Sequence, residues 1–411
     1  MLRSFIFLLI AGGLFACKST PNSTSGTGYH PLILISVDGY RFDYTEKFQA
    51  PNIQKFAEEG VKAEALIPCY PSKTFPNHWA VATGTYPGHN GLIHNAFFSK
   101  NYQATFKLGD AAERNNPRWY GGTPIWKLAE DQGKIAACYF WPGSEVEHAG
   151  HLPTYYYPYR ESTPFNDRVD QVLKWAQLPE GERPDFITLY FHEPDHSGHH
   201  FGPDSKKTKQ AVAEVDRALG RLFRLMNEKG IAPDYLLISD HGMVEVTHGI
   251  DYQELADFNG CQVLNAGGTQ LMIYPATETN IAGLIKALEA NADGRYRVIQ
   301  KKDAPEYWHY THQDVPDFWL EASPHYMFVE AGRKPSAGTH GYDPAVQDTH
   351  AIFYANGPSF KRGMTIPAFE NVNIYPLMAR VLNLSIPQGI DGNLSVLQPI
   401  LEETQKKATT E

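Results

Sequence analysis

Cysteine is scarce in this chain, and positive charge is in short supply. Four cysteines occur in 411 residues, and no two stand in C-x-x-C spacing. With Cys17 set aside, Cys69, Cys138 and Cys261 remain. Three is odd, so one disulfide at most forms and one thiol stays free. No chemistry is expected of these thiols. Lys and Arg number 36 against 46 Asp and Glu, a formal net charge of -10. That balance disfavours stable nucleic-acid binding. It leaves an anionic small substrate open, because a pair of bound dications would override the local field. Internal repeats and long disordered segments are also missing.

The apolar stretch Phe5–Phe15 is too short to span a bilayer. Arg3 supplies a positive charge ahead of it, so residues 1–17 read as an export leader. The leader ends at Leu14-Phe15-Ala16-Cys17. This resembles a bacterial lipobox, in which the cysteine becomes the lipidated first residue. Phe15 departs from the commonest form, and ordinary leader cleavage is the competing reading. Residues 18–28 are rich in Ser, Thr, Gly, Pro and Asn, as a flexible tether is. The expectation is an exported bacterial protein, periplasmic or held on a membrane by a lipid anchor at Cys17. Residues 401–411 form a polar tail.

The body of the chain, residues 29–400, is long enough to bury a large core in one domain with insertions. Three apolar runs end abruptly at acidic motifs. Residues 31–37 run into Asp38, Phe186–Phe191 into Glu193-Pro194-Asp195, and residues 235–239 into Asp240-His241. Such runs predict buried strands of a mostly parallel sheet. Helices are expected over 52–59, 163–176, 204–229 and 281–292. The longest carries Val212, Val215, Leu219, Leu222 and Leu225 on one stripe, with Gly230 as its stop. The fold class is therefore α/β, a central sheet flanked by helices. Roughly residues 252–330 break the pattern and read as a smaller inserted region capping the sheet edge.

In open α/β sheets ligands gather at the carboxyl ends of the strands. Asp38, Asp195, His199, Asp240, His241 and His340 are candidate metal ligands there. Three Asp and three His suit two Zn²⁺ ions, each with three protein ligands and an open position. Paired metals of this kind support displacement at phosphorus. Thr74 precedes Phe75-Pro76-Asn77-His78, and proline favours a first helical turn. Thr74 thus stands at a helix start, where amides receive an anion. It reads either as a cap or as a nucleophile activated by metal; beside the metal motifs the second is favoured. His78 is expected to pack or to join a hydrogen-bond network. His192, His196 and His200 read as surface groups or as groups orienting the ligands.

Taken together, Val37-Asp38-Gly39, residues 73–78, Phe140-Trp141-Pro142-Gly143-Ser144, Glu193-Pro194-Asp195 with Gly198-His199, residues 239–243 and Gly338-Thr339-His340-Gly341-Tyr342-Asp343 resemble the nucleotide pyrophosphatase/phosphodiesterases of the alkaline phosphatase superfamily. The resemblance implies an alkaline-phosphatase-like fold and two Zn²⁺ per chain. It implies one triad of Asp195, His199 and His340, and another of Asp38, Asp240 and His241 with Thr74 beside it. It implies attack by Thr74, departure of the leaving group at the opposite zinc, and a phospho-threonine intermediate. Asn95 matches a residue that holds a phosphoryl oxygen, while His94 stands where aspartate is common.

Phe75 matches the aromatic residue on which a nucleobase stacks, and Trp141 belongs to the same pocket. Tyr159 is read either as the stacking partner or as a hydrophobic wall. Arg114 corresponds to a lysine that contacts terminal phosphates. The implied substrate is a nucleotide diester cleaved to a nucleoside 5′-monophosphate. A lipid or choline-head-group diester, or a phosphonate, is the alternative, and a non-catalytic metal- or phosphate-binding lipoprotein is the third reading. A sulfatase is disfavoured by Thr74, and a monoesterase by the lack of an arginine clamp.

Overall fold

The computed structural model describes residues 29–403. Cys17, the leader, the tether and the tail from residue 404 lie outside the described residues. The main sheet has eight strands. Their spatial order is Met364–Ile366, Val61–Ala63, Phe353–Asn356, Asp234–Ile238, Leu32–Val37, Phe186–Phe191, Ala136–Tyr139 and Tyr155–Tyr157. Only Phe353–Asn356 runs antiparallel to its neighbours. The rest are parallel, which agrees with the alkaline-phosphatase-like expectation.

Both faces of this sheet are covered. Leu32 and Leu34 enter one buried cluster, while Ile33, Ile35 and Val37 enter another. Successive strand residues point to opposite faces. A sheet buried on both faces therefore needs the unbroken apolar runs seen in the sequence. The second cluster takes its outer wall from helix Lys206–Glu228, through Val212, Val215, Leu219 and Leu222. The Ser205 hydroxyl caps this helix at Thr208 N, 3.1 Å away. Asp216, on the same helix, accepts from the amides of Asn52 and Ile53 and so caps helix Pro51–Glu59 across the interface.

The central strand Leu32–Val37 pairs in parallel with Phe186–Phe191 on one side and Asp234–Ile238 on the other. Val37 lies opposite Phe191, and Ser36 opposite Ile238. The three strands therefore finish at one level. Asp38, Asp195 and Asp240 all follow from that shared edge.

The region after residue 252 holds a separate antiparallel sheet in the order Cys261–Asn265, Gln270–Pro275, Phe318–Ala322, Tyr296–Gln300, with helix Ile281–Ala290. None of its strands pairs with the main sheet. Met272, Tyr274 and Trp319 instead join the core cluster that contains Trp79 and Val81 of helix Thr74–Thr83. Its alternating strands bury one face into that cluster and the other around Leu271, Ile273 and Leu320. Cys69, Cys138 and Cys261 are all free thiols. No helix among the described residues is long and apolar enough to cross a membrane.

Candidate active site

The strand ends bring the six proposed ligands together. Asp38 follows Leu32–Val37, and Asp240 with His241 follows Asp234–Ile238. Asp195 opens the short helix Asp195–Phe201, which carries His199 one turn on. His340 follows the short strand Gly338–Thr339. The chain crosses itself tightly here. Gly39 has φ of +67°, and a Cβ at that position would stand 2.8 Å from the Asp195 Cα and Cβ. Only glycine lets the Asp38 turn approach Asp195 so closely.

Two sets of short contacts run through the six residues. His241 Nε2 lies 3.5 Å from Asp38 Oδ1 and 3.0 Å from Asp240 Oδ2. Asp195 Oδ1 lies 3.4 Å from His199 Nε2 and 3.8 Å from His340 Nε2. The His241 and His340 rings stack at 3.5 Å, so the groups adjoin. Other clusters can also be drawn, joining His241 to Asp195 and His340, and His78 to Asp38 and Asp240. His78 fits poorly as a ligand because both its nitrogens are engaged. Nδ1 lies 2.8 Å from the Thr74 carbonyl, and Nε2 lies 2.8 Å from Ser36 Oγ. It therefore serves the hydrogen-bond network its position suggested.

The orientation of the three histidines follows from their backbone partners. Nδ1 of His199 bonds the Gly338 carbonyl at 2.9 Å, Nδ1 of His241 that of Gly242 at 2.8 Å, and Nδ1 of His340 that of Ser72 at 2.8 Å. A carbonyl only accepts, so each Nδ1 carries the proton, and in the neutral ring each Nε2 turns a bare lone pair inward. Facing these lone pairs are Asp38 Oδ1, Asp195 Oδ1 and Asp240 Oδ2, all buried and without a hydrogen-bond donor. Acceptors facing acceptors away from water repel one another unless a cation lies between them. The donor set therefore fits divalent metal, and Asp/His chemistry fits zinc. Burial first, and the charges of Asp240 and Asp195 next, push the Asp38 carboxyl well above the carboxylate range.

Tyr190 was not legible as a site residue. Its hydroxyl donates to Asp38 Oδ2 at 2.5 Å and leaves Oδ1 as the free oxygen. The available signal was a tyrosine inside the apolar strand Phe186–Phe191, whose buried hydroxyl needs a partner. Tyr190→Phe should weaken metal affinity about tenfold, measured by zinc titration. Unchanged affinity would show that the hydroxyl only packs.

Thr74 is the first residue of helix Thr74–Thr83. Its Oγ1 lies 3.2 Å from His241 Nε2, so the hydroxyl adjoins the Asp38–Asp240–His241 group. Asn95 stands beside it and accepts from the Phe75 amide through Oδ1 at 3.3 Å. That contact turns the Asn95 NH₂ outward as a donor. His94 is buried, bonds Gln270 Oε1 at 3.2 Å and touches none of the six ligands by hydrogen bond. His196 and His200 are exposed, and His192 bonds Arg168.

From Thr74 a cavity of about 250 Å³ opens. Phe75, Arg114, Trp141, Tyr159 and Tyr190 line it. Trp141 is buried and donates to the His78 carbonyl at 3.3 Å. Tyr159 is 42% exposed and packs edge-on against Phe140 and Tyr190. Arg114 donates to the Leu108 carbonyl at 2.9 Å. All four proposed substrate-binding residues thus reach one cavity.

A family profile described as Type I phosphodiesterase / nucleotide pyrophosphatase matches residues 32–343. The chain is 35% identical over 405 residues to venom phosphodiesterase CdcPDE of Crotalus durissus collilineatus, covering 94% of this chain and 48% of that protein. It is also 35% identical to ectonucleotide pyrophosphatase/phosphodiesterase family member 1 of Mus musculus, covering 94% and 44%. The chain thus spans about half the length of the curated relatives it matches. Murine ectonucleotide pyrophosphatase/phosphodiesterase 5 superposes with a TM-score of 0.86 at 28% identity, over 91% of this chain and 100% of that one. An inactive threonine-to-alanine variant of that protein, in complex with AMP, superposes equally well. The chain belongs to the type I phosphodiesterase / nucleotide pyrophosphatase family.

Proposed function

We propose that this protein hydrolyses nucleotide phosphodiesters or pyrophosphates and releases a nucleoside 5′-monophosphate. The observation that carries the reading is Thr74, which stands both against His241, at 3.2 Å, and at the mouth of the aromatic cavity. Two divalent cations, when bound, lower the cost of removing the Thr74 proton and balance charge on the phosphoryl oxygens. Asp38, Asp240 and His241 would hold one, and Asp195, His199 and His340 the other.

Thr74 Oγ attacks phosphorus, the bond to the departing oxygen breaks, and a phospho-threonine forms. Water then hydrolyses it, releasing the monophosphate and restoring the hydroxyl. Asn95 donates to a phosphoryl oxygen as charge collects there. The helix start at Thr74 presents amides to the same anion. Phe75 and Tyr159 hold the base, and Arg114 lies at the rim for further phosphate. The AMP complex of a structural neighbour supports a nucleotide in this cavity. The expected setting is outside the cytoplasm, with Cys17 as lipid anchor. The named venom and ecto-enzyme relatives support export.

Metal-loaded protein assayed side by side on a nucleotide 5′-diester, a nucleotide monoester and a phosphocholine ester tests this. The diester should be cleaved fastest. Preference for the monoester sinks the reading, and preference for the choline ester moves the substrate to a lipid head group. Phe75→Ala should raise KM by roughly ten- to a hundredfold, from a stacking loss of about 1–3 kcal/mol. An unchanged KM on nucleotide substrates would remove the base from this cavity.

A further inference from the structure

A groove of about 950 Å³ lies at the far end of the main sheet from the site. Its wall includes Pro233, just before strand Asp234–Ile238, and Gly357, just after the antiparallel strand Phe353–Asn356. Both mark the edge opposite the one that delivers Asp38 and Asp240. A strand of five residues, Asp234–Ile238, spans the distance between the two edges, which are about 20 Å apart.

In a chain of net charge -10 this groove is basic. Arg217, Arg221 and Arg224 recur at helical spacing along Lys206–Glu228 and so share one face. Lys55 joins them from helix Pro51–Glu59, and Arg362 from the loop beyond Gly357. Against these cations Glu59 is the single carboxylate in the lining among the described residues. Arg221 pairs with Asp170 and Arg224 with Glu228. Arg217 and Arg362 are exposed and make no ion pair among the described residues. Phe56 and Phe223, stacked with ring centroids 4.6 Å apart, give the groove an apolar part on which arginine stems can lie. Crowded like charges repel one another, so the groove favours an anionic surface.

The chain enters the fold beside this groove. His30 Nδ1 donates to the Ala232 carbonyl at 2.8 Å, and the Pro31 carbonyl accepts from the Asp234 amide at 2.9 Å. Ala232 is itself part of the groove wall. Residues 18–28 and the proposed anchor Cys17 come directly before Tyr29. Fully extended, residues 18–28 reach at most about 40 Å, so a lipid at Cys17 keeps the groove within that distance of a bilayer.

We propose that this basic groove docks on an anionic phospholipid surface, so that the anchored protein lies with its strand starts on the membrane and its site facing solution. The proposal takes its geometry from the Cys17 anchor proposed above and its chemistry from the groove. Guanidinium groups fork onto the phosphate oxygens of lipid head groups. The orientation suits a soluble anionic substrate, which meets a mouth held away from the negative membrane surface. A lipid head-group substrate would need the opposite face down.

Vesicle sedimentation tests this with the full chain carrying Cys17→Ser, so that no lipid is attached. Vesicles of phosphatidylglycerol and phosphatidylcholine should bind about tenfold more tightly than phosphatidylcholine alone, and high salt should abolish the difference. The triple variant Arg217→Gln, Arg224→Gln, Arg362→Gln should lose about a hundredfold in affinity for the anionic vesicles. A control with the same charge change, Lys302→Gln, Arg333→Gln, Lys334→Gln, should bind as the parent does. Its three residues are exposed, and the last two lie in the loop that leads to Ala337, whose amide bonds the His199 carbonyl at 3.0 Å on the side of the site. Both variants should keep the parent's melting temperature. Equal binding to the two lipids, or equal loss in the two variants, overturns the docking face. Displacement by inorganic phosphate at constant ionic strength would make the groove a soluble-anion site and also overturns it. Mass spectrometry of the exported protein reads the lipid on Cys17 separately. An unmodified Cys17 fails the anchor, and the vesicle comparison still decides the face.

Discussion

Thr74→Ala should reduce turnover of every phosphodiester by more than about a thousandfold. The reason is local. Among the residues at the mouth of the aromatic cavity, Thr74 places a hydroxyl beside a proposed metal ligand, 3.2 Å from His241 Nε2. Alanine removes the attacking oxygen and little else. Thr74 is half-buried at a helix start, its side chain makes no cap bond, and Lys73 is the N-cap residue. Alanine is also a good helix former. The variant should therefore keep its circular dichroism, its melting temperature and its metal content. Acid quench of the unsubstituted protein with phosphorus-labelled substrate should trap label on Thr74, and the variant should trap none. Turnover within tenfold of the parent, or label on another residue, would sink the nucleophile assignment.

The second large effect is metal removal. Metal analysis should find two zinc ions per chain, and chelation should abolish turnover and lower the melting temperature. An ion bound only by the folded chain stabilises it by about 4 kcal/mol at a thousandfold excess over its Kd. Without ions, Asp38 Oδ1, Asp195 Oδ1 and Asp240 Oδ2 crowd the imidazoles with no other donor between them. Asp240→Asn and Asp195→Asn should each cost one ion. One ion in the parent, or loss of both on either substitution, would overturn the division into two groups. A melting temperature indifferent to chelation would show that the carboxylates are satisfied by other means.

Much of this was legible because the important strands are the long ones. Leu32–Val37, Phe186–Phe191 and Asp234–Ile238 are buried on both faces, so their apolar runs stand out, and a candidate ligand follows shortly after each. Thr74 and Phe75 were legible because proline two residues on marks a helix start. The peripheral strands Val61–Ala63, Met364–Ile366 and Tyr155–Tyr157 were not, since three residues carry no periodicity. Placing the inserted sheet over helix Thr74–Thr83 needed contacts between Trp319, Met272 and Trp79 that lie far apart in sequence. Tyr190 and the basic groove at the strand starts were hidden for the same reason: each is defined by who stands next to it in space.

The parallel register beneath the site has a consequence for how such a chain can change. Val37 faces Phe191 and Ser36 faces Ile238 through backbone hydrogen bonds alone. The separation between the two proposed ligand groups is therefore inherited from the sheet ladder, and Gly39 fixes the last step of it. Residues can be gained or lost in any crossover on the helical side without altering that separation. A single residue gained within one of the three strands would instead turn its carboxylate to the opposite face. Variation in this architecture is thus free in the connections and constrained at the ends of the three strands, so the cavities around the proposed site can be rebuilt for new substrates while the spacing of the two ligand groups stays the same.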